Sequence, residues 1–237
     1  MAMRNNRLRS CYFVALHVAI LVMLINTDAI ERVKAKLFVK DSAQQLSSIT
    51  ARASRVHRRM DGSVPKGSVV FIGDSMVESL VTSAVAEPSV NYGVGGDTTE
   101  GVLSRMTLYN SINDAKAVVL ALGVNDLKLN VPSEEIIGNY QSILDSIPAQ
   151  TAIVVNALHP VDEMTIKHSI ANADIIGLNA ELAQLVASYP NATFTDLSAQ
   201  LADGQGQLAS QNHVGDGLHL STEGYRIWIE QLKDVLE

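Results

Sequence analysis

The chain has 237 residues, 47% of them apolar and 18% charged, with a formal net charge of −7. That length suits one domain with a sizeable core plus an appendage, and the composition excludes collagen-like, low-complexity and repeat architectures. A single cysteine, Cys11, excludes an intrachain disulfide and is neutral about compartment.

Charge is divided unevenly along the chain. Residues 1–60 hold 11 Lys/Arg against 3 Asp/Glu, a net of +8, and residues 61–237 hold 7 against 22, a net of −15. The acidic body repels phosphate backbones, which argues against nucleic-acid binding.

In chain order, Arg4, Arg7 and Arg9 precede an apolar run from Cys11 to Ile25 in which His17 is the one strongly polar residue. A basic flank before such a run reads as a signal anchor or export signal over 1–29, with membrane contact through residues 11–30. A cleavable signal and a merely buried helix are the alternatives, because the run is short for a span and small residues are poorly placed for cleavage. An amino-terminal anchor favours a carboxyl-terminal domain on the exported side, although Arg32, Lys34, Lys36 and Lys40 weaken that orientation.

Residues 30–61 contain neither proline nor glycine until the break at Asp61-Gly62, and Ile30, Val33, Leu37, Leu46, Ile49, Val56 and Met60 recur at near-helical intervals. We read this segment as a basic amphipathic helical linker, lying on anionic lipid or standing as a stalk, or else as a solvated helix packed on its own domain. His57 falls within it. The run 61–67 marks the boundary of a domain over 62–237.

Within that domain, apolar runs alternate with amphipathic stretches. Strands are expected at about 68–72, 90–92, 117–122, 152–156 and 193–195, and helices at about 76–86, 98–110, 133–146, 169–188 and 222–236. Continuous apolar strands separated by helices imply a parallel sheet covered on both faces, a three-layer α/β/α domain.

In such a sheet every strand delivers its following loop to one edge, where ligands bind. The first loop carries Gly73-Asp74-Ser75, the second Gly93-Val94-Gly95-Gly96-Asp97, and the third Gly123-Val124-Asn125-Asp126. Asp216-Gly217-Leu218-His219 precedes the last helix. Alone, Ser75 is better explained as a helix cap than as a nucleophile. The set suits acyl transfer. A serine hydroxyl needs an imidazole to take its proton and an acid to hold that imidazole, and the spacing of Asp216 and His219 allows the last two to meet. Gly96 can offer a backbone N–H to an oxyanion, Asn125 a side-chain NH₂, and Ser75 its own N–H.

These four blocks, in this order over about 150 residues, resemble the SGNH hydrolases, the GDSL-type lipases and esterases. Gly-Asp-Ser-Met and Gly-Val-Gly-Gly-Asp-Thr-Thr look most like the catalytic subunits of the platelet-activating-factor acetylhydrolases. Unlike those, this chain has a leader and an acid, Asp126, directly after Asn125. The resemblance implies a flavodoxin-like sheet of about five parallel strands, with Ser75, Asp216 and His219 catalytic and Ser75, Gly96 and Asn125 forming the oxyanion hole. No cofactor or metal is implied, and no His-x-x-x-His pair suggests one. The missing Gly-x-Ser-x-Gly argues against an α/β-hydrolase fold.

Asp74, Asp97, Asp126 and His159 are candidate pocket-lining residues, with capping the simpler role for Asp74 and Asp97. His168 and His213 read as surface residues, and Trp228 as core. The expected function is a serine esterase cleaving short acyl groups such as acetyl. The alternatives are a membrane-associated lysophospholipase or thioesterase, and a non-catalytic binding module of the same fold.

Overall fold

The computed structural model describes residues 12–18 and 49–237. The chain divides into two compact units, residues 1–48 and 49–237. In the first, residues 12–18 form an exposed helix, α1; the rest of the expected leader, and the expected linker up to residue 48, lie outside the described residues. Among the described residues no helix is long and apolar enough to cross a membrane.

The second unit opens with helix α2 (49–61), so the carboxyl-terminal part of the expected basic linker belongs to this unit. The helix ends where glycine and proline intervene, in a turn closed by the Ser63 N–H on Met60 O at 2.9 Å. Its His57 is not on the solvated face. The ring is buried, and Nδ1 lies 3.1 Å from the Tyr109 hydroxyl.

Strands β1 (Val69–Gly73), β2 (Ser89–Asn91), β3 (Ala117–Ala121), β4 (Ala152–Asn156) and β5 (Ala192–Thr195) form one parallel sheet in the order β2-β1-β3-β4-β5. Phe71 pairs with Val119, and Val119 with Val154, across its centre. Side chains alternate between the faces of a strand, so Val70, Ile72, Val118, Leu120 and Val155 enter one core and Val69, Phe71, Val119 and Val154 the other. The first core is covered by α4 (Thr99–Arg105), α6 (Ser133–Asp145) and α7 (Asn172–Val186), which bring Val102, Tyr140 and Leu182.

The second core is covered by α3 (Ser75–Glu78), α8 (Ser198–Leu201) and α9 (Thr222–Leu236), through Val77, Leu201, Trp228 and Leu232. Trp228 is fully buried, as expected, and its Nε1–H donates to Asn156 Oδ1 at 2.8 Å. An indole of this size can be buried only where its polar end finds a partner.

Two helices are shorter than the sequence suggests. The one expected at 76–86 stops at Glu78, because the Asn91 amide reaches over from the end of β2 and takes the Val77 and Leu80 carbonyls at 2.7 and 3.0 Å. The one expected at 98–110 stops at Arg105 and gives way to 3₁₀ turns. There the Asp61 carboxylate gathers the Asn110 and Ser111 N–H groups at 2.9 and 3.1 Å. Besides α8, the sequence also passed over α5 (Val124–Lys128), which is barely a turn long.

Candidate active site

β1 ends at Gly73 and carries Asp74 and Ser75 to the carboxyl edge of the sheet. Asp74 caps α3, its Oδ1 accepting the Met76 N–H at 2.9 Å. It is buried, and that burial, reinforced by the Asp97 and Asp126 carboxylates and opposed by the Met76 hydrogen bond, pushes its carboxyl up to about 7. Ser75 follows as the first helical residue, and among the described residues its N–H meets no acceptor.

The loop after β2 folds back on β1 through the Val94 N–H on Gly73 O at 3.0 Å, and the Asp97 N–H then closes a turn on Val94 O at 3.1 Å. Gly96 sits in that turn at φ +78°, a conformation that costs glycine little and a residue with a Cβ much more. Among the described residues the Gly96 N–H is also without an acceptor. Asp97 does not line a pocket: both its oxygens are engaged by the Arg105 guanidinium, and the two side chains are almost completely buried. Arg105 donates further to Gly101 O at 2.9 Å and to the Tyr109 hydroxyl at 3.2 Å. Burial alone would lower its pKa, but the bonds to Asp97 more than compensate and hold it raised.

Asn125, on α5, donates from Nδ2 to Asp97 O at 3.0 Å. An amide has two such hydrogens, so this bond fixes its orientation and leaves one to give. Asp126 turns away from the cavity as well. It accepts the Thr99 hydroxyl at 2.7 Å and the Thr99 N–H at 3.1 and 3.2 Å, which ties the start of α4 to the loop after β3.

The fourth block closes the arrangement. His219 Nε2 lies 3.0 Å from Ser75 Oγ, and its Nδ1 lies 2.6 Å from Asp216 Oδ2. A carboxylate only accepts, so Nδ1 carries the hydrogen and Nε2 is free to take the serine proton. Asp216 Oδ1 accepts the Leu218 and His219 N–H groups at 3.0 and 2.9 Å. Partial burial works to raise the Asp216 carboxyl, but the bonds from His219 and these N–H groups outweigh it and hold the group below its ordinary value. Both side chains stay partly open to solvent, at 42% for His219 and 44% for Asp216.

Beside the serine is a cavity of about 30 Å³ whose walls include Asp74, Met76, Leu122, Leu158, His159 and Leu218. The structure therefore brings two of the four candidate lining residues, Asp74 and His159, to it. The His159 ring packs edge-on to Trp228 with centroids 5.3 Å apart, and burial, opposed by Asp196, lowers it to about 4. Among the described residues no three His, Cys, Asp or Glu side chains gather as a metal would require.

His168 is exposed, as expected, but His213 is not a surface residue: it is 8% exposed and holds backbone N–H groups of the Asp216 loop. Sequence reasoning also passed over Arg105, and Tyr225, whose hydroxyl donates to Met76 O at 2.9 Å and pins α9 to α3.

A parallel α/β/α sheet with this set of loops at its carboxyl edge defines an ester-bond hydrolase. The chain belongs to the GDSL-like Lipase/Acylhydrolase family, whose model matches residues 48–227. It is 26% identical to the platelet-activating factor acetylhydrolase IB subunit alpha1 of Rattus norvegicus, over 72% of this chain and 76% of that protein. Against the alpha2 subunit of Homo sapiens the identity is 27%, over 66% and 70%. A solved structure from Streptococcus pneumonia, described by reference to a platelet activating factor, is 26% identical, with a TM-score of 0.79 and coverage of 85% of this chain and 99% of that one. A catalytic mutant of Axe2, an acetylxylan esterase from Geobacillus stearothermophilus, shares the fold at 15% identity and a TM-score of 0.60, over 72% and 94%.

Proposed function

We propose that this chain is a serine esterase that removes short acyl groups, acetyl foremost, from carboxylic esters. One observation carries the reading: Ser75, His219 and Asp216 stand in hydrogen-bonded series, 3.0 and 2.6 Å apart, and the Ser75 and Gly96 N–H groups meet no acceptor among the described residues. His219 Nε2 takes the Ser75 proton as Oγ attacks the ester carbonyl. The developing oxyanion is met by the Ser75 N–H, the Gly96 N–H and the spare Asn125 amide hydrogen, and each such donor is worth about 10²–10³ in kcat. His219, its charge balanced by Asp216, then protonates the leaving alcohol. A water activated by the same imidazole releases the acid and restores the serine.

The preference for short acyl groups is supported by the curated relatives, which are named acetylhydrolases. From their sequence alone, we read residues 1–29 as the segment that carries the enzyme to a membrane, with its catalytic unit on the exported side.

The test is a series of p-nitrophenyl esters from acetate to dodecanoate with the full chain. We expect kcat/KM to be highest for acetate and to fall as the acyl group lengthens, with activity lost in Ser75→Ala. A preference for long chains would favour the lysophospholipase or thioesterase alternative, and full activity in Ser75→Ala would remove the proposed nucleophile.

A further inference from the structure

The loop that carries Asp216 and His219 is short, half-exposed and contains two glycines with positive φ, Gly215 at +97° and Gly217 at +76°. Left to itself, such a segment would sample many conformations. It is closed at its neck by the Val214 N–H on His219 O at 3.0 Å, the Ser221 N–H on Asn212 O at 2.9 Å, and an antiparallel bridge between His213 and Leu220. Inside the loop lies the His213 side chain, 5% exposed. Its Nδ1 accepts the Gly215 N–H at 3.0 Å and the Gly217 N–H at 3.1 Å, the amides of the two glycines that flank Asp216 in the chain.

An imidazole nitrogen that accepts twice must hold its lone pair, so the ring hydrogen is on Nε2. That atom faces Asp162 Oδ2 at 3.6 Å, beyond hydrogen-bond range but close enough for the carboxylate to favour this orientation of the ring. Asp162 also holds the loop through its backbone, its N–H donating to Gly217 O at 2.8 Å. A Cβ on Gly217 would lie 2.8 Å from both Asp162 O and the Ile166 nitrogen, so the loop is seated directly on that turn.

We propose that His213 is a positioning residue for the reaction, a second imidazole that sets Asp216 and His219 by fixing the glycines around them. The assignment rests on the esterase reading above, in which His219 serves as the base. His213 touches no substrate. It acts on the distance and angle at which Asp216 meets His219 Nδ1, and so on where Nε2 meets the serine.

The experiment is a pair of double-variant cycles, read as kcat and KM on p-nitrophenyl acetate with the full chain. His213→Gln removes the acceptor at the Nδ1 position. It should lower kcat by about 10–100-fold with KM little changed, the size of loss expected when catalytic groups are misplaced by an ångström or less. In a His219→Ala background, where only the oxyanion donors still act, the same substitution should cost nothing further. In an Asn125→Ala background it should cost its full factor, because His219 is still at work. His213→Asn, whose Oδ1 can stand near the lost Nδ1, should recover most of the activity. Asp162→Asn leaves the ring and both glycine bonds in place, and should produce a smaller kcat loss that also vanishes without His219; it carries the test where His213→Gln unfolds.

An equal loss with and without His219, or no loss in either single variant, overturns the positioning role while leaving the esterase reading intact. A wild-type chain that neither hydrolyses the ester nor takes a fluorophosphonate label on Ser75 overturns both.

Discussion

The two halves of the site are built on different principles. The half proposed to bind the oxyanion, Gly96 and Asn125, is backed by buried polar contacts: Asn125 on Asp97 O, Asp97 on Arg105, and Arg105 on Tyr109, which also meets His57 of α2. The half proposed to move protons, Asp216 and His219, lies on a half-exposed loop held by backbone bonds and one buried imidazole. The oxyanion half must be rigid before the reaction begins, because donors lower a barrier only if they already point where charge will develop. The acid–base half must exchange protons with substrate and water, so it stays accessible. In this enzyme burial supplies preorganisation on one side and loop closure supplies it on the other.

Breaking the acid–base half should have the largest effect on rate. His219→Ala is expected to lower kcat by about 10⁴-fold or more on p-nitrophenyl acetate, since the serine then has no base. A loss below tenfold would mean that another group accepts the proton. Breaking the support of the oxyanion half should appear first in stability. Arg105→Met leaves the Asp97 carboxylate buried and uncompensated, at a cost of about 3–5 kcal/mol in denaturant unfolding. An unchanged midpoint would show that water reaches Asp97 and that the ion pair does not hold the loop.

Removing a donor without disturbing its support sharpens the contrast. Asn125→Ala should cost about 10²–10³ in kcat with little change in KM, the mark of an interaction made in the transition state. A rise in KM alone would reassign Asn125 to substrate binding.

An effect that appears only as pH changes concerns Asp74. Its carboxyl, ordinarily near 3.8, is pushed up to about 7, so between these values the folded protein holds a proton that the unfolded chain has lost. Stability should therefore fall as pH rises through that window, by on the order of 1.4 kcal/mol per pH unit at the steepest. Asp74→Asn keeps the cap to Met76 and abolishes that slope. Its advantage over the wild type in urea unfolding should be absent near pH 4 and grow towards pH 8, and parallel pH profiles for the two would contradict the shift.

Much of this architecture is legible in the sequence, for identifiable reasons. β4 and α9 carry continuous apolar or amphipathic patterns, so their bounds at 152–156 and 222–236 emerge from periodicity alone. The candidate catalytic blocks are legible because each follows a strand or precedes a helix, and strand ends in a parallel sheet share one edge. What stays hidden is what lies behind those blocks. Asp97 and Arg105 stand eight residues apart across the start of a helix, a spacing with no periodic signature, so Asp97 reads as a cap or pocket acid when it is half of a buried ion pair. His213 sits in a glycine-rich turn among polar neighbours, where exposure is the natural expectation; only the closure of the loop around it reverses that. The early end of α3 is hidden for the same reason, since it depends on an amide from β2, distant in sequence from the helix it stops.

In the proposed reaction, four separated loops place one hydroxyl, one imidazole, one carboxylate and a set of amide donors around a single carbonyl. The most direct measurement is to label the full chain with a fluorophosphonate and map the modified peptide by mass spectrometry, beside the Ser75→Ala and His219→Ala variants. Stoichiometric labelling is expected at Ser75, none in Ser75→Ala, and a greatly slowed reaction in His219→Ala. Labelling at another residue, or at an undiminished rate without His219, would contradict it.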